Sequence, residues 1–211
     1  MTADPETTLR ADARRNREQI IAAARVIFVE QGAEVPMEEI ARAAGVGVGT
    51  LYRRFPDRDA LIRAVAVDNF DRVLVDAKAA ADEEPTSWAA LVRLIHQSVE
   101  LQLSVQLAMV SARALTILKE DPAVGSLRDE LLEVLEVLVQ GAQREKILRA
   151  DVGTGDVAML FALLLRQLSA KTPEVAKMAT ARCIGIMIDG LQAHPGTPLP
   201  GRPMLNTDLN R

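Results

Sequence analysis

Between Pro36 and Phe55 the chain holds residue types suited to one kind of chemistry. Gly49 and Thr50 are small, Arg53 and Arg54 carry guanidinium groups, and Leu51 and Phe55 recur at helical spacing on the other side. A short helix of that composition presents little bulk at its start, with one hydroxyl and two forked cations on its outer face. A duplex major groove asks for this, because small residues allow approach and arginine pairs with guanine edges or phosphates. The stretch before it places Met37, Ile40, Ala41 and Ala44 at the i, i+3, i+4, i+7 spacing of an apolar helical stripe. Ala41, Ala43 and Ala44 permit a close crossing, Gly45 supplies the tight turn and Val46 the apolar plug between the two helices. On spacing alone the pattern also fits a generic helical hairpin with solvated arginines.

The elements that must position this pair are themselves helical. Ala, Leu, Arg and Glu dominate between Gly and Pro breaks, and strand-like alternation is scarce. The periodicity predicts a first helix over 14–31, with Ile20, Ala24, Ile27 and Gln31 on one face and Gly32 as its stop. Pro36 suits the first position of the second helix. The third helix covers 48–55 and ends at Pro56, and the fourth covers 58–81 with Asp57 as its N-cap. Residues 1–13 read as a flexible arm, and 82–85 (Asp-Glu-Glu-Pro) as a linker. Further helices are expected at 87–103, 105–119, 126–145, 156–170 and 173–193, followed by a proline-rich tail over 194–211. The expected fold is all-α, about nine helices. It comprises an N-terminal three-helix helix-turn-helix domain (14–73, the motif at about 36–55) and a C-terminal helical bundle (82–193).

The stretch "IIAAARVIFVEQGAEVPMEEIARAAGVGVGTLYRRFPDRDALIRAV" closely resembles the DNA-binding domain of the TetR family of bacterial transcriptional repressors. The resemblance covers about 14–67. It includes Phe28 and Gly32, Ile40-Ala41, Ala44-Gly45-Val46, Gly49-Thr50-Leu51-Tyr52, Phe55 and the 57–61 start of the fourth helix. By that resemblance Val48, Gly49, Thr50, Arg53 and Arg54 match positions facing bases or phosphates, and Tyr52 matches a phosphate-binding tyrosine. Arg58 matches a commonly basic position that also meets phosphate, at a helix start where such a contact is physically sensible. Arg14, Arg15 and Arg17 are candidates for backbone or minor-groove contacts, or for a solvated face. Two departures are plain. Gly47 and Pro36 stand where the family often has hydroxyl residues, so two capping or phosphate-touching groups are missing. A helical wheel sets Val48 nearer the Leu51/Phe55 side, whereas the resemblance sets it at the DNA, against a thymine methyl.

The resemblance further implies a homodimer reading palindromic double-stranded operator DNA, with a C-terminal domain for dimerisation and a small-molecule effector. The candidate dimer residues are Val175, Met178, Arg182 and Ile186, beside Cys183 and Met187, with Gly185 and Gly190 allowing close approach. The segment 157–168 is apolar nearly all round and needs cover on more than one side. Candidate ligand residues are Trp88, His96, Glu100, Gln106, Met109, Arg113 and Phe161, a few polar groups among apolar ones. Equally, His96 and Glu100 fit an exposed i, i+4 pair, and Met109 and Phe161 plain core. Few aromatics remain outside the DNA-binding part, which argues against a cage for cations and for a neutral or weakly acidic, lipophilic effector.

Composition bounds these readings. The chain has 211 residues, 49% hydrophobic and 26% charged, the range of soluble globular domains. Its longest strongly apolar run, 157–165, is far short of the about 20 residues of a membrane span. The polar first ten residues do not read as a signal peptide, and a cytoplasmic protein without membrane partners is expected. The net charge of −4 argues against general nucleic-acid coating, but five arginines against Asp12 and Glu18 leave +3 over 10–25. The window 40–58 also carries +3. Cys183, the single cysteine, reads as an inert packed thiol. His96 and His194 are the only histidines, so no zinc-like cluster forms. No phosphate-binding glycine loop or nucleophilic triad signature is present, so neither cofactor nor enzyme activity is expected. The rival reading is a helical small-molecule-binding protein or enzyme whose helix-turn-helix is purely structural.

Overall fold

The computed structural model describes residues 5–97, 116–117, 119–164, 173–193 and 196–209. Among these residues the secondary structure is helical and no strand occurs. The helices are α1 (Pro5–Gln31), α2 (Met37–Ala43), α3 (Val48–Arg54), α4 (Arg58–Glu83), α5 (Ser87–Gln97), α6 (Pro122–Arg144), α7 (Thr154–Leu164) and α8 (Pro173–Leu191), then a 3₁₀ turn at Asn206–Asp208. No helix of the described residues is long and apolar enough to cross a membrane. The described residues form two compact units, one from 5–69 and 116–125, the other from 70–97 and 126–209.

The first unit is built on the apolar faces of α1 to α4. Ile20, Ala24, Ile27 and Phe28 of α1 meet Ile40 and Ala41 of α2, Leu51 of α3 and Leu61, Ile62 and Val65 of α4 in one buried cluster. Each large side chain withdrawn from water there contributes roughly 1.5–3 kcal/mol. Gly32, at φ +86°, stops α1, and its N–H reaches Phe28 O at 3.1 Å. Gly45, at φ +67°, makes the turn between α2 and α3, a conformation that side-chain-bearing residues adopt at a cost. Val46 packs against the core as the expected plug. The Asp57 carboxylate accepts the Ala60 N–H at 2.7 Å and caps α4 as expected.

The second unit has its own core. Leu91, Leu94 and Ile95 of α5 pack with Leu135, Leu138 and Val139 of α6, Val157 of α7 and Ile184 and Leu191 of α8. Glu145, just beyond α6, accepts the Ser87 and Trp88 N–H groups at 2.6 and 3.1 Å and so caps α5 from a distance. A side chain at Gly141 would lie 2.0 Å from Ser87 Oγ, so the α5–α6 approach requires a glycine there.

Several boundaries differ from the sequence reading. The segment 5–13, assigned to a flexible arm, is helical, because α1 starts at Pro5, a residue that lacks only an N–H the first turn leaves unbonded anyway. Pro36 is the N-cap of α2 (ψ 137°) rather than its first helical residue. Asp82 and Glu83 belong to α4, leaving 84–86 as the linker, and Arg93 of α5 pairs with Glu83 at the end of α4 and Glu84 in the linker at 2.8 and 3.1 Å. Pro122, expected to break the chain, opens α6, with Asp121 accepting the Ala123 and Val124 N–H groups. Cys183 is exposed on α8 rather than packed. The 98–115 part of the expected helices lies outside the described residues.

The tail differs most. Met204 O accepts the Gly155 N–H at 2.8 Å, and Asp156 takes the Gly153 and Met204 N–H groups at 2.8 and 3.0 Å. Arg149 holds Asp151 at 2.6 and 2.9 Å and also donates to Thr197 O, while Asp151 accepts the Leu199 N–H. The Arg149 guanidinium, then the Leu199 N–H, lower the Asp151 carboxyl to about 2. Residues 196–209 are thus fastened to Arg149, Asp151 and the start of α7.

Candidate nucleic-acid interface

The α2–α3 pair presents one face to its own core and the other to solvent. Leu51 is fully buried and Phe55 nearly so, which fixes the roll of α3 about its axis. With that roll set, Val48 (39% exposed), Gly49, Tyr52 (41% exposed), Arg53 and Arg54 face outwards, and Thr50 is half-buried. The exposure of Val48 agrees with the resemblance rather than with the wheel. Where a Cβ would stand on Gly49 there is open space, so no packing contact with other described residues asks for its smallness. Gly47 caps α3 by backbone alone, its carbonyl accepting Thr50 N–H at 2.8 Å and Leu51 N–H at 3.1 Å.

The cations of this region fall into two groups. Arg15, Arg42, Arg53 and Arg54 are exposed, and their side chains make no hydrogen bond or ion pair with other described residues. The others are engaged within the chain. Arg14 pairs with Glu18 at 3.4 Å on an open surface, a weak tie. Arg17 stands over the Phe55 ring, 5.8 Å from its centroid, and so links α1 to the end of α3. The half-buried Arg58 turns its Nη1 to the carbonyls of Ala33 and Val35. Tyr52 Oη donates to Glu38 Oε1 at 3.5 Å. Glu38 and the two carbonyls escape sequence reasoning, because each meets its partner only through the fold.

The candidate ligand residues are not gathered by the described part of the structure. Trp88 and Phe161 are half-buried against the second core and His96 is exposed on α5. Glu100, Gln106, Met109 and Arg113 lie outside the described residues. An apolar groove of about 360 Å³ does occur in the second unit, lined by Met159, Leu160, Leu163, Met187, Leu191 and Leu199 among others, and includes none of those candidates. No group of three or more His, Cys, Asp or Glu that could hold a metal ion occurs among the described residues.

Of the candidate dimer residues, Val175, Met178, Arg182 and Ile186 all lie exposed along α8. Met159 and Leu163 extend the same apolar character on α7, whose Val157 is buried.

The family described as "Bacterial regulatory proteins, tetR family" matches residues 20–65. A TetR transcription regulatory protein from Mycobacterium vanbaalenii is 33% identical, with 87% of this chain and 99% of that one covered and a TM-score of 0.59. The chain belongs to the TetR family. A TetR-family regulator from Streptomyces coelicolor superposes with a TM-score of 0.65 at 28% identity, over 83% of this chain and 98% of that one. HTH-type transcriptional regulators of Staphylococcus aureus are 33% identical over 84 residues, 39% of this chain. That match spans 45% of the length of the Staphylococcus relatives and falls on 84 residues only.

Proposed function

We propose that the chain is a homodimeric, sequence-specific DNA-binding transcriptional regulator, a repressor released from a palindromic operator by a small-molecule ligand. The observation that carries this reading is α3. Its core-facing Leu51 is fully buried, while Val48, Tyr52, Arg53, Arg54 and Gly49, which no packing contact with other described residues requires to be a glycine, are left to solvent. Arg53 and Arg54 are the base and phosphate donors in this reading, Thr50 and Val48 the short contacts, and Tyr52 a phosphate donor once it leaves Glu38. Arg14, Arg15 and Arg17 add backbone contacts. The cytoplasm, where bacterial DNA lies, is the compartment the reading requires.

Dimerisation is supported by α7 and α8. Val175, Met178 and Ile186 are large apolar groups open to solvent in the single chain, and Met159 and Leu163 join them. Gly185 and Gly190 have open space where a Cβ would stand, although a glycine inside a helix costs about 1 kcal/mol relative to alanine. A second helix approaching closely gives these glycines a use. A two-fold dimer then offers two α3 helices, which read successive grooves when about 34–36 Å apart. A ligand with different affinity for two spacings shifts that equilibrium, and α4, which carries residues of both units, is the element through which it acts.

The test is a mobility shift with DNA from the promoter region next to the protein's own gene, over a salt series. Specific binding that survives competitor DNA and weakens with salt supports the reading. Absence of binding there and in random-sequence selection returns the chain to the rival, a helical binding protein with a structural helix-turn-helix.

A further inference from the structure

We infer that Arg58 is a positioning residue for DNA recognition, holding the start of α2 rather than neutralising a phosphate. The inference deepens the DNA-binding reading and rests on it. Arg58 is the first residue of α4, and its Nη1 donates to both Ala33 O and Val35 O, the backbone just before α2. The Ala33 and Val35 side chains are buried on either side of the exposed Glu34, so the core fixes the backbone that carries the two carbonyls.

Among the described residues the other ties at the start of α2 are the buried Met37 and the long, exposed Tyr52–Glu38 contact, neither of which holds its backbone by a hydrogen bond. The N-cap of α2 is Pro36, which forms no side-chain cap and lacks an N–H. A hydrogen bond from a charged donor is stronger than a neutral one, and one guanidinium nitrogen here supplies two. The other helix of the motif is tied to the same place by the chain itself. Phe55, buried in the core, ends α3, and Asp57 caps α4 two residues later. Both helices of the reading motif are therefore referenced to the first turn of α4, α3 through covalent bonds and α2 through Arg58. With Nη1 committed to two carbonyls, the guanidinium is held in place at the α1–α2 loop and only Nη2 and Nε remain as donors.

The two roles leave different signatures. Loss of a phosphate contact weakens binding about equally on all sequences and lowers the salt slope by about 0.9. Loss of α2–α3 alignment weakens the contacts that read bases, which carry the sequence information. The test uses the full chain, a duplex recovered with it by random-sequence selection and a scrambled duplex of equal length. Affinities of wild type, Arg58→Met and Arg58→Lys are read over a salt series, well below the melting temperature of each. Amide exchange of residues 33–40 is read without DNA.

For Arg58→Met we expect a loss of about tenfold on the selected duplex, a smaller loss on the scrambled one, an unchanged salt slope and faster exchange of the loop amides. Equal loss on both duplexes with a shallower slope overturns the inference in favour of a phosphate contact. A salt slope lowered in Arg58→Met and restored in Arg58→Lys does the same, because lysine keeps the charge a phosphate needs. A lowered melting temperature with an unchanged ratio of the two affinities reduces Arg58 to a stabilising contact and also overturns it. Failure of the wild-type chain to bind any selected duplex removes the parent reading, and is recognised before any substitution is made.

Discussion

Arg53 and Tyr52 are neighbours on α3, but they stand in different electrostatic situations. Arg53 is exposed and its side chain makes no hydrogen bond or ion pair with other described residues, while the Tyr52 hydroxyl points to the Glu38 carboxylate at 3.5 Å. If Arg53 pairs with a guanine, Arg53→Ala costs roughly 1–3 kcal/mol and relaxes preference at one base of the operator. Titration against operators varied one position at a time checks this, and a uniform loss assigns Arg53 to phosphate instead. Glu38 opposes DNA twice, by its charge and by occupying Tyr52. Glu38→Gln is expected to strengthen DNA binding by up to about 1 kcal/mol, the scale of one unit-charge interaction at about 4 Å in water. Affinity compared at low and high salt reads it, and a gain that persists undiminished at high salt contradicts the electrostatic part.

At the scale of elements, the fastened tail makes the sharpest claims. A Cβ at Gly155 would stand 2.6 Å from Leu205 O and 2.8 Å from the Met204 carbonyl carbon, backbone that no rotamer change can move aside. Gly155→Ala therefore lifts the tail, and faster amide exchange at Met204 is the expected result, with α2–α3 unaffected. The Asp151 carboxyl, lowered to about 2 by Arg149 and the Leu199 N–H, adds a pH signature. A lowered folded pKa gives stability that is complete above the ordinary carboxylate range and lost as pH falls through the folded value. The melting temperature of wild type should exceed that of Asp151→Asn at pH 7, and the gap should close between about pH 4 and 2. These devices mark the limit of what the sequence makes legible. Gly45, Asp57 and the Leu51/Phe55 pair act within a turn or two of their partners, so local pattern reveals them. Gly153 and Gly155 look like ordinary loop punctuation until Met204 and Leu205 lie against them. Arg58 looks like a free cation at a helix start until the fold brings Ala33 and Val35 beneath it. Residues 5–13 carry too few apolar positions to announce a helix, yet α1 continues through them.

At the scale of the whole molecule, the question is why a chain leaves Ile186 at 68% exposure on a helix whose Ile184 and Leu191 are buried. Single exposed apolar residues need no explanation, but Val175, Met178 and Ile186 on α8 with Met159 and Leu163 on α7 make five on two helices. In a two-fold dimer each such residue meets the same patch of the partner, so one substitution is applied twice at the interface. Ile186→Asp then places two carboxylates in the interface, each with Arg182 four residues before it on α8, and their desolvation is a penalty for association. It removes no packing from the single chain, because the side chain is open there. The expected outcome is a folded monomer by sedimentation and circular dichroism, with operator affinity collapsing towards that of one half-site. Val137, 61% exposed on α6, is the control. Val137→Asp adds the same charge at the same exposure and leaves both the association state and the DNA affinity unchanged. Were Ile186→Asp still a dimer, the α7–α8 face would not be the interface. Were both variants monomeric alongside a monomeric wild type, the two-fold reading of the operator would fail with it, since a single α3 cannot measure the spacing between half-sites.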